Sequence, residues 1–102
     1  MQAYKLLIKR ADGSLGPLFI NRPQRIPLGK WLNAENHPTK GYAVRPGWHC
    51  AAAPVAPHLS TKGRVWCEGE IDDYEEFTRP TIQGSLWYIA NRMRVLRELK
   101  NA

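Results

Sequence analysis

Residues 86–99 read LWYIANRMRVLREL, and two periodicities compete in them. At helical spacing Leu86, Ile89, Ala90, Met93, Leu96 and Leu99 form an apolar stripe, with Ser85 as an N-cap. At strand spacing Trp87 and Ile89, then Met93 and Val95, alternate about an Asn91-Arg92 turn. The Trp87-Tyr88-Ile89 triplet and the β-rich character of the remaining chain favour strand. How much helix the fold contains depends on this segment.

Upstream, Arg64 to Ile71 is the clearest strand. Val65, Cys67, Gly69 and Ile71 point one way; Arg64, Trp66, Glu68 and Glu70 point the other. Asp72-Asp73 reads as a turn, Tyr74 to Phe77 as a helical turn or a strand start, and residues 79–85 as loop. Residues 41–50, GYAVRPGWHC, combine a strand over Gly41–Arg45 with a type II turn at Pro46-Gly47. Residues 48–59 contain Pro54 and Pro57, which allow one helical turn and an irregular covering segment. At the N-terminus Tyr4, Leu6 and Ile8 share one side of a strand. Asp12-Gly13 turns the chain into a second, edge strand over Leu15–Ile20. Ile26 to Asn36 reads as a short helix, with Pro27 in its first turn and Leu28, Trp31, Leu32 and Glu35 at helical spacing.

The expected fold is therefore one α+β domain over residues 1–102. A small twisted antiparallel sheet of about four to six strands carries one or two short helices. Leu6, Ile8, Leu28, Trp31, Val44, Val65, Cys67 and Ile71 are the expected core. The chain has 102 residues, 43% apolar and 24% charged, which is ordinary globular composition. Eight glycines and eight prolines argue for short elements and tight turns. No apolar run approaches the ~18 residues of a membrane span, and the N-terminal residues are too charged for a secretory signal. The expected location is the cytoplasm, where Cys50 and Cys67 stay free thiols.

The net charge of +6 is unevenly distributed. All of it lies in residues 1–50, because basic and acidic residues balance in residues 51–102. Six carboxylates fall between Glu68 and Glu76 with no basic residue among them. A basic front of Arg22, Arg25, Lys30, Lys40 and Arg45, with Trp48 and His49 beside it, suits an anionic partner. Aromatics interleaved with cations suit single-stranded nucleic acid, which stacks on rings while its phosphates meet the charges. His49, Cys50, His58 and Cys67 carry zinc-binding atoms, but at spacings that form no standard site, so no metal is expected. Cys50 as a nucleophile would need a polarising neighbour, His49 or His58. Cys50 and Cys67 otherwise read as small buried apolar groups.

Glu68-Gly69-Glu70 places two carboxylates on one strand face, able to stabilise a cationic sugar centre. Arg45, Ser60-Thr61 and Glu68-x-Glu70, in that order, resemble the arginine-specific ADP-ribosyltransferases. That resemblance implies a nicotinamide dinucleotide substrate, Arg45 on its phosphate and Glu70 as the catalytic residue. The family's Ser-Thr-Ser is here only Ser-Thr, close before the glutamates. An alternative for the same glutamates is a solvated face paired to arginines across the sheet. A second resemblance spans most of the chain. IPLGKWLNAEN, GYAVRPGWHC, GRVWCEGEID and MRVLREL look like small single-domain proteins of phages and mobile elements. It implies an accessory or anti-defence role, with nucleic acid or a nucleic-acid-processing protein as partner. A structural or oligomeric phage component is a further reading. The leading expectation is a binding module without a cofactor.

Overall fold

The computed structural model describes residues 1–18, 23–34, 47–54, 60–78, 80 and 86–99. Among the described residues six strands run in chain order: β1 (Gln2–Lys9), β2 (Leu15–Gly16), β3 (Trp31–Asn33), β4 (Trp48–Ala51), β5 (Arg64–Thr78) and β6 (Leu86–Glu98). Every pairing among them is antiparallel. β5 pairs with β1 on one edge and with β6 on the other. The far edge of β6 carries β4 against Trp87–Ala90 and β3 against Arg92–Arg94. β4 in turn meets β1 at Tyr4↔Ala51, so β1, β5, β6 and β4 form a closed ring. Closure removes sheet edges that would otherwise present unpaired backbone groups.

Between β2 and β3 the chain itself bridges the wall. The Ile26 amide donates to the Leu15 carbonyl and the Gly29 amide to the Val95 carbonyl. Ile26 is thereby buried in the interior.

The long strands close a ring because they bend. Glu68 pairs with Arg97 but Gly69 pairs with Val95, so Leu96 is an extra residue on β6. Such a bulge kinks and coils the sheet. Farther along, the inward face of β6 passes from Tyr88 and Ala90 to Met93 and Val95, an odd step in an even repeat. Opposite that step Asp73 takes a left-handed φ of 50°, a conformation Asp tolerates better than most residues. The Asn91 side-chain amide donates to the Asp73 carboxylate and holds the step.

The ring encloses the main core. It includes Ala3, Leu7, Leu15, Trp48, Cys50, Cys67, Ile71, Tyr88, Met93 and Val95. A second cluster of Leu6, Ala51, Trp66 and Trp87 lies on the alternate residues, with Tyr4, Leu18, Phe77 and Leu99 packed against it. The sheet is thus apolar on parts of both faces.

Several expectations are corrected. The described residues contain no helix, so the protein is mainly antiparallel β rather than α+β. The expected helix over Ile26–Asn36 is a turn at Leu28-Gly29 followed by β3. Gly29 adopts φ 78° there, and Trp31 and Leu32 pair across to Arg94 and Met93. The Asp72-Asp73 turn is a kink inside β5, because β6 pairs with it on to Thr78. Trp48–Ala51 is a strand rather than a helical turn, since β6 offers it a full ladder. Among the described residues the second hairpin strand is Leu15–Gly16 and does not continue through Pro17 and Leu18. The strand reading of Leu86–Leu99 holds, but without a turn at Asn91-Arg92. Leu28 is 52% exposed, not core. The expected strand over Gly41–Arg45, with Val44, lies outside the described residues. Among the described residues no helix is long and apolar enough to cross a membrane.

Candidate functional site

The outer face of β5 and β6 is a ladder of opposite charges. Alternation puts Glu68, Glu70 and Asp72 on one face of β5, and the antiparallel register lays Arg97, Arg94 and Arg92 beside them. Arg97 pairs with Glu68 and Arg94 with Glu70. Arg92 reaches Asp72 at 2.9 Å. The Arg92 and Arg94 guanidiniums also lie over the Trp31 ring, at 4.7 and 4.9 Å from its centre. Planar guanidiniums stack on indole while keeping their carboxylate bonds. The Glu68-x-Glu70 pair is therefore held in cross-strand ion pairs. Its carboxylates face arginines rather than an open cleft.

The cations of the first fifty residues follow a different pattern. Arg25 pairs with Asp12 at 3.0 Å, and Asp12 also accepts bonds from the Ser14 amide and hydroxyl. Those bonds from Ser14, with Arg25, hold the Asp12 carboxyl well below its usual range. Lys9 pairs with Glu98 at 2.7 Å. Arg10 donates to the Leu15 and Gln24 carbonyls, tying the first hairpin to the next segment. Lys30 is exposed. Arg22, Lys40 and Arg45 lie outside the described residues.

Trp48 is buried, its indole N–H donating to the Leu32 carbonyl at 3.1 Å. It is part of the wall between β4 and β3, not a platform for a base. His49, the next residue, points to the opposite face and meets the Phe77 ring edge-on at 6.1 Å. His49 is opposite Ile89 and Glu70 is opposite Arg94. Those β6 positions are five residues apart, roughly 16 Å along a strand. His49, Glu68 and Glu70 do not converge.

Inside the ring is a residue that sequence reading passed over. Lys5 alternates with Ala3 and Leu7 on β1 and so points inward. Its ammonium donates to the His49 carbonyl at 2.7 Å and lies 5.9 Å from the centre of the Trp48 ring. Burial lowers the Lys5 pKa from 10.5, partly offset by the neighbouring Cys50. The Cys50 thiol rests 3.9 Å from the Met93 sulfur, and burial raises its pKa. Burial pushes Cys67 up to about 12, with Glu98 adding to the rise. Both cysteines are free and buried. Thiols in this state are poor nucleophiles.

The Cys67 shift carries a pH prediction. Its folded pKa lies above the unfolded value near 9.0, so the folded state binds the proton more tightly. Its stabilising contribution is intact below pH 9 and is lost as pH rises towards 12. Lys5 acts in the opposite sense below 10.5, because its folded pKa is lowered. The parent and Cys67→Ala share that term. The difference in their unfolding free energies should therefore shrink as pH rises above 9. A difference that stays constant from pH 7 to 11, measured by urea unfolding, would contradict the burial of this thiol.

The arginine ladder was partly readable beforehand. Acidic residues at 68, 70 and 72 and arginines at 92, 94 and 97 run in mirrored order. Their slightly unequal spacing reflects the Leu96 bulge, which the sequence does not mark. Lys5 carried no signal, because the outward-facing set Tyr4, Leu6 and Ile8 looks as apolar as a core face. No family model, curated protein or solved structure matches the chain, and the two resemblances stand on the quoted residues alone.

Proposed function

We propose that the protein is a binding module that meets an anionic partner, nucleic acid before others, and that it carries out no chemistry on that partner. The observation carrying this reading is the charge ladder on β5 and β6. Arg92, Arg94 and Arg97 engage three carboxylates of the acidic segment within their own sheet. Those carboxylates are thereby matched locally, and the net +6 of the chain falls to the remaining residues. A surplus of that size steers a small protein towards polyanions.

Lys30 with Arg22, Lys40 and Arg45 form the recognition set. Arg25 contributes less, since Asp12 already holds it. Trp48 is withdrawn from the set because its ring belongs to the core. Recognition then rests on phosphate contacts rather than stacking, and weak sequence preference follows. The engagement of Glu68 and Glu70 by arginines counts against sugar-nucleotide chemistry at that pair.

The test is fluorescence anisotropy with a labelled single-stranded oligonucleotide across a salt series. With roughly three phosphate contacts, affinity should fall about twentyfold between about 50 and about 200 mM salt. The triple variant Lys30→Glu, Lys40→Glu, Arg45→Glu should lose binding while keeping its unfolding midpoint. Absence of binding at low salt, or an affinity unchanged across the series, rejects the proposal.

A further inference from the structure

We propose that the contact between β1 and β4 is a seam at which the ring opens without global unfolding, exposing Lys5, Trp48 and Cys50. The walls of the ring are unequal. β5 is paired to β1 from Arg64 to Glu70 and to β6 from Cys67 to Thr78. β4 is paired to β6 along its whole length. Against β1, β4 has the single pair Tyr4↔Ala51. Beyond it the strands diverge, and the His49 carbonyl takes the Lys5 ammonium as its donor.

That side-chain bond is a poor substitute for a ladder. A lysine ammonium is strongly hydrated in water and gives up part of that hydration at this half-buried position. No ion pair among the described residues engages it. The cavity beside it, lined by Ala3, Lys5, Cys50, Cys67, Met93 and Val95 among others, has a volume of about 10 Å³. That is barely one water's worth. Opening the seam returns water to both the ammonium and the His49 carbonyl. It breaks one strand bridge and leaves the β1–β5–β6 ladders intact. Segments with few ladder bonds and partly hydrated polar groups open at a fraction of the global free energy.

The two thiols report separately on this motion. Cys50 sits on β4 next to the bridge residue Ala51. Cys67 is on β5, whose backbone is paired to Lys5 of β1 on one side and to Glu98 of β6 on the other, and its sulfur turns towards the Val65 carbonyl. The experiment is alkylation with iodoacetamide under native conditions, each cysteine read by peptide mass spectrometry, at urea concentrations below the unfolding transition. Cys50 should react about tenfold or more faster than global unfolding allows, at a rate nearly independent of urea. Cys67 should follow the urea dependence of global unfolding. Lys5→Met removes the group that gains most from water, so it should slow Cys50 alkylation several-fold.

Cys50 and Cys67 rates rising together along the global urea slope would overturn the proposal. So would a Cys50 rate unchanged in Lys5→Met. Should that variant not fold, the contrast between the two thiols in the parent chain still decides.

Discussion

Leu7→Ala should destabilise the protein by about 2–5 kcal/mol, the largest effect expected of any single truncation in β1. Leu7 is fully buried at the centre of the ring, on the inward face of the strand that β5 pairs along most of its length. Removing three carbons there loses their transfer free energy and leaves a void. The neighbouring strands cannot collapse into that void, because the closed ladder fixes their spacing. Leu28 makes the informative control. Its periodicity marks it for a helix face and a core, yet it is 52% exposed at the turn before β3. Leu28→Ala should fall within about 0.5 kcal/mol of the parent. Urea unfolding of both variants decides the matter: equal losses would mean that the inward and outward faces are assigned wrongly.

The second large effect belongs to Gly69→Ala. An ideal Cβ at Gly69 would lie 2.5 Å from the Arg94 carbonyl oxygen and 3.3 Å from the Val95 Cα. These are backbone atoms, so no side chain can swing aside. Relief needs movement of β6 at the point where Leu96 bulges out and the register changes. Replacing a strand glycine by alanine ordinarily gains about 0.5–1 kcal/mol from lost unfolded-state freedom. Overpacking against backbone costs about 1–3 kcal/mol and outweighs that gain. The expected outcome is a net loss of about 1–2 kcal/mol, with the β6 amides near Val95 exchanging faster. A Gly69→Ala variant as stable as the parent would show that the bulge is not packed as described.

The legible and illegible parts of this chain separate by range. Arg64 to Ile71 was readable because two-residue alternation is a local property, and its inward set Val65, Cys67, Gly69 and Ile71 is the set found inside the ring. The first hairpin was readable from Asp12-Gly13, since a turn type depends on adjacent residues. Leu28, Trp31 and Leu32 misled because their spacing fits a helix. The competing partner, Arg92–Arg94 on β6, lies some sixty residues away. Asp72-Asp73 misled for a related reason. The residues prefer a turn, but β6 pairs on both sides of them, so the local preference becomes a kink. Of the candidate site residues, Glu68 and Glu70 were correctly placed on one strand face. Their engagement by Arg97 and Arg94 was a stated alternative that the register selects. Trp48 was expected beside the basic front, whereas its ring is buried and its indole N–H donates to the Leu32 carbonyl.

Sequence alone determined the strand character of β1 and of β5 from Arg64 to Ile71, the turn at Asp12-Gly13 and the uneven charge, because each depends on residues adjacent in the chain. Tertiary structure decided ring closure, the inward lysine and the pairing of Glu68, Glu70 and Asp72 with arginines. These arise from antiparallel register between distant segments, where a one-residue shift exchanges the faces of a strand. A bulge at Leu96 sets that register, and a left-handed Asp73 bends β5 within it.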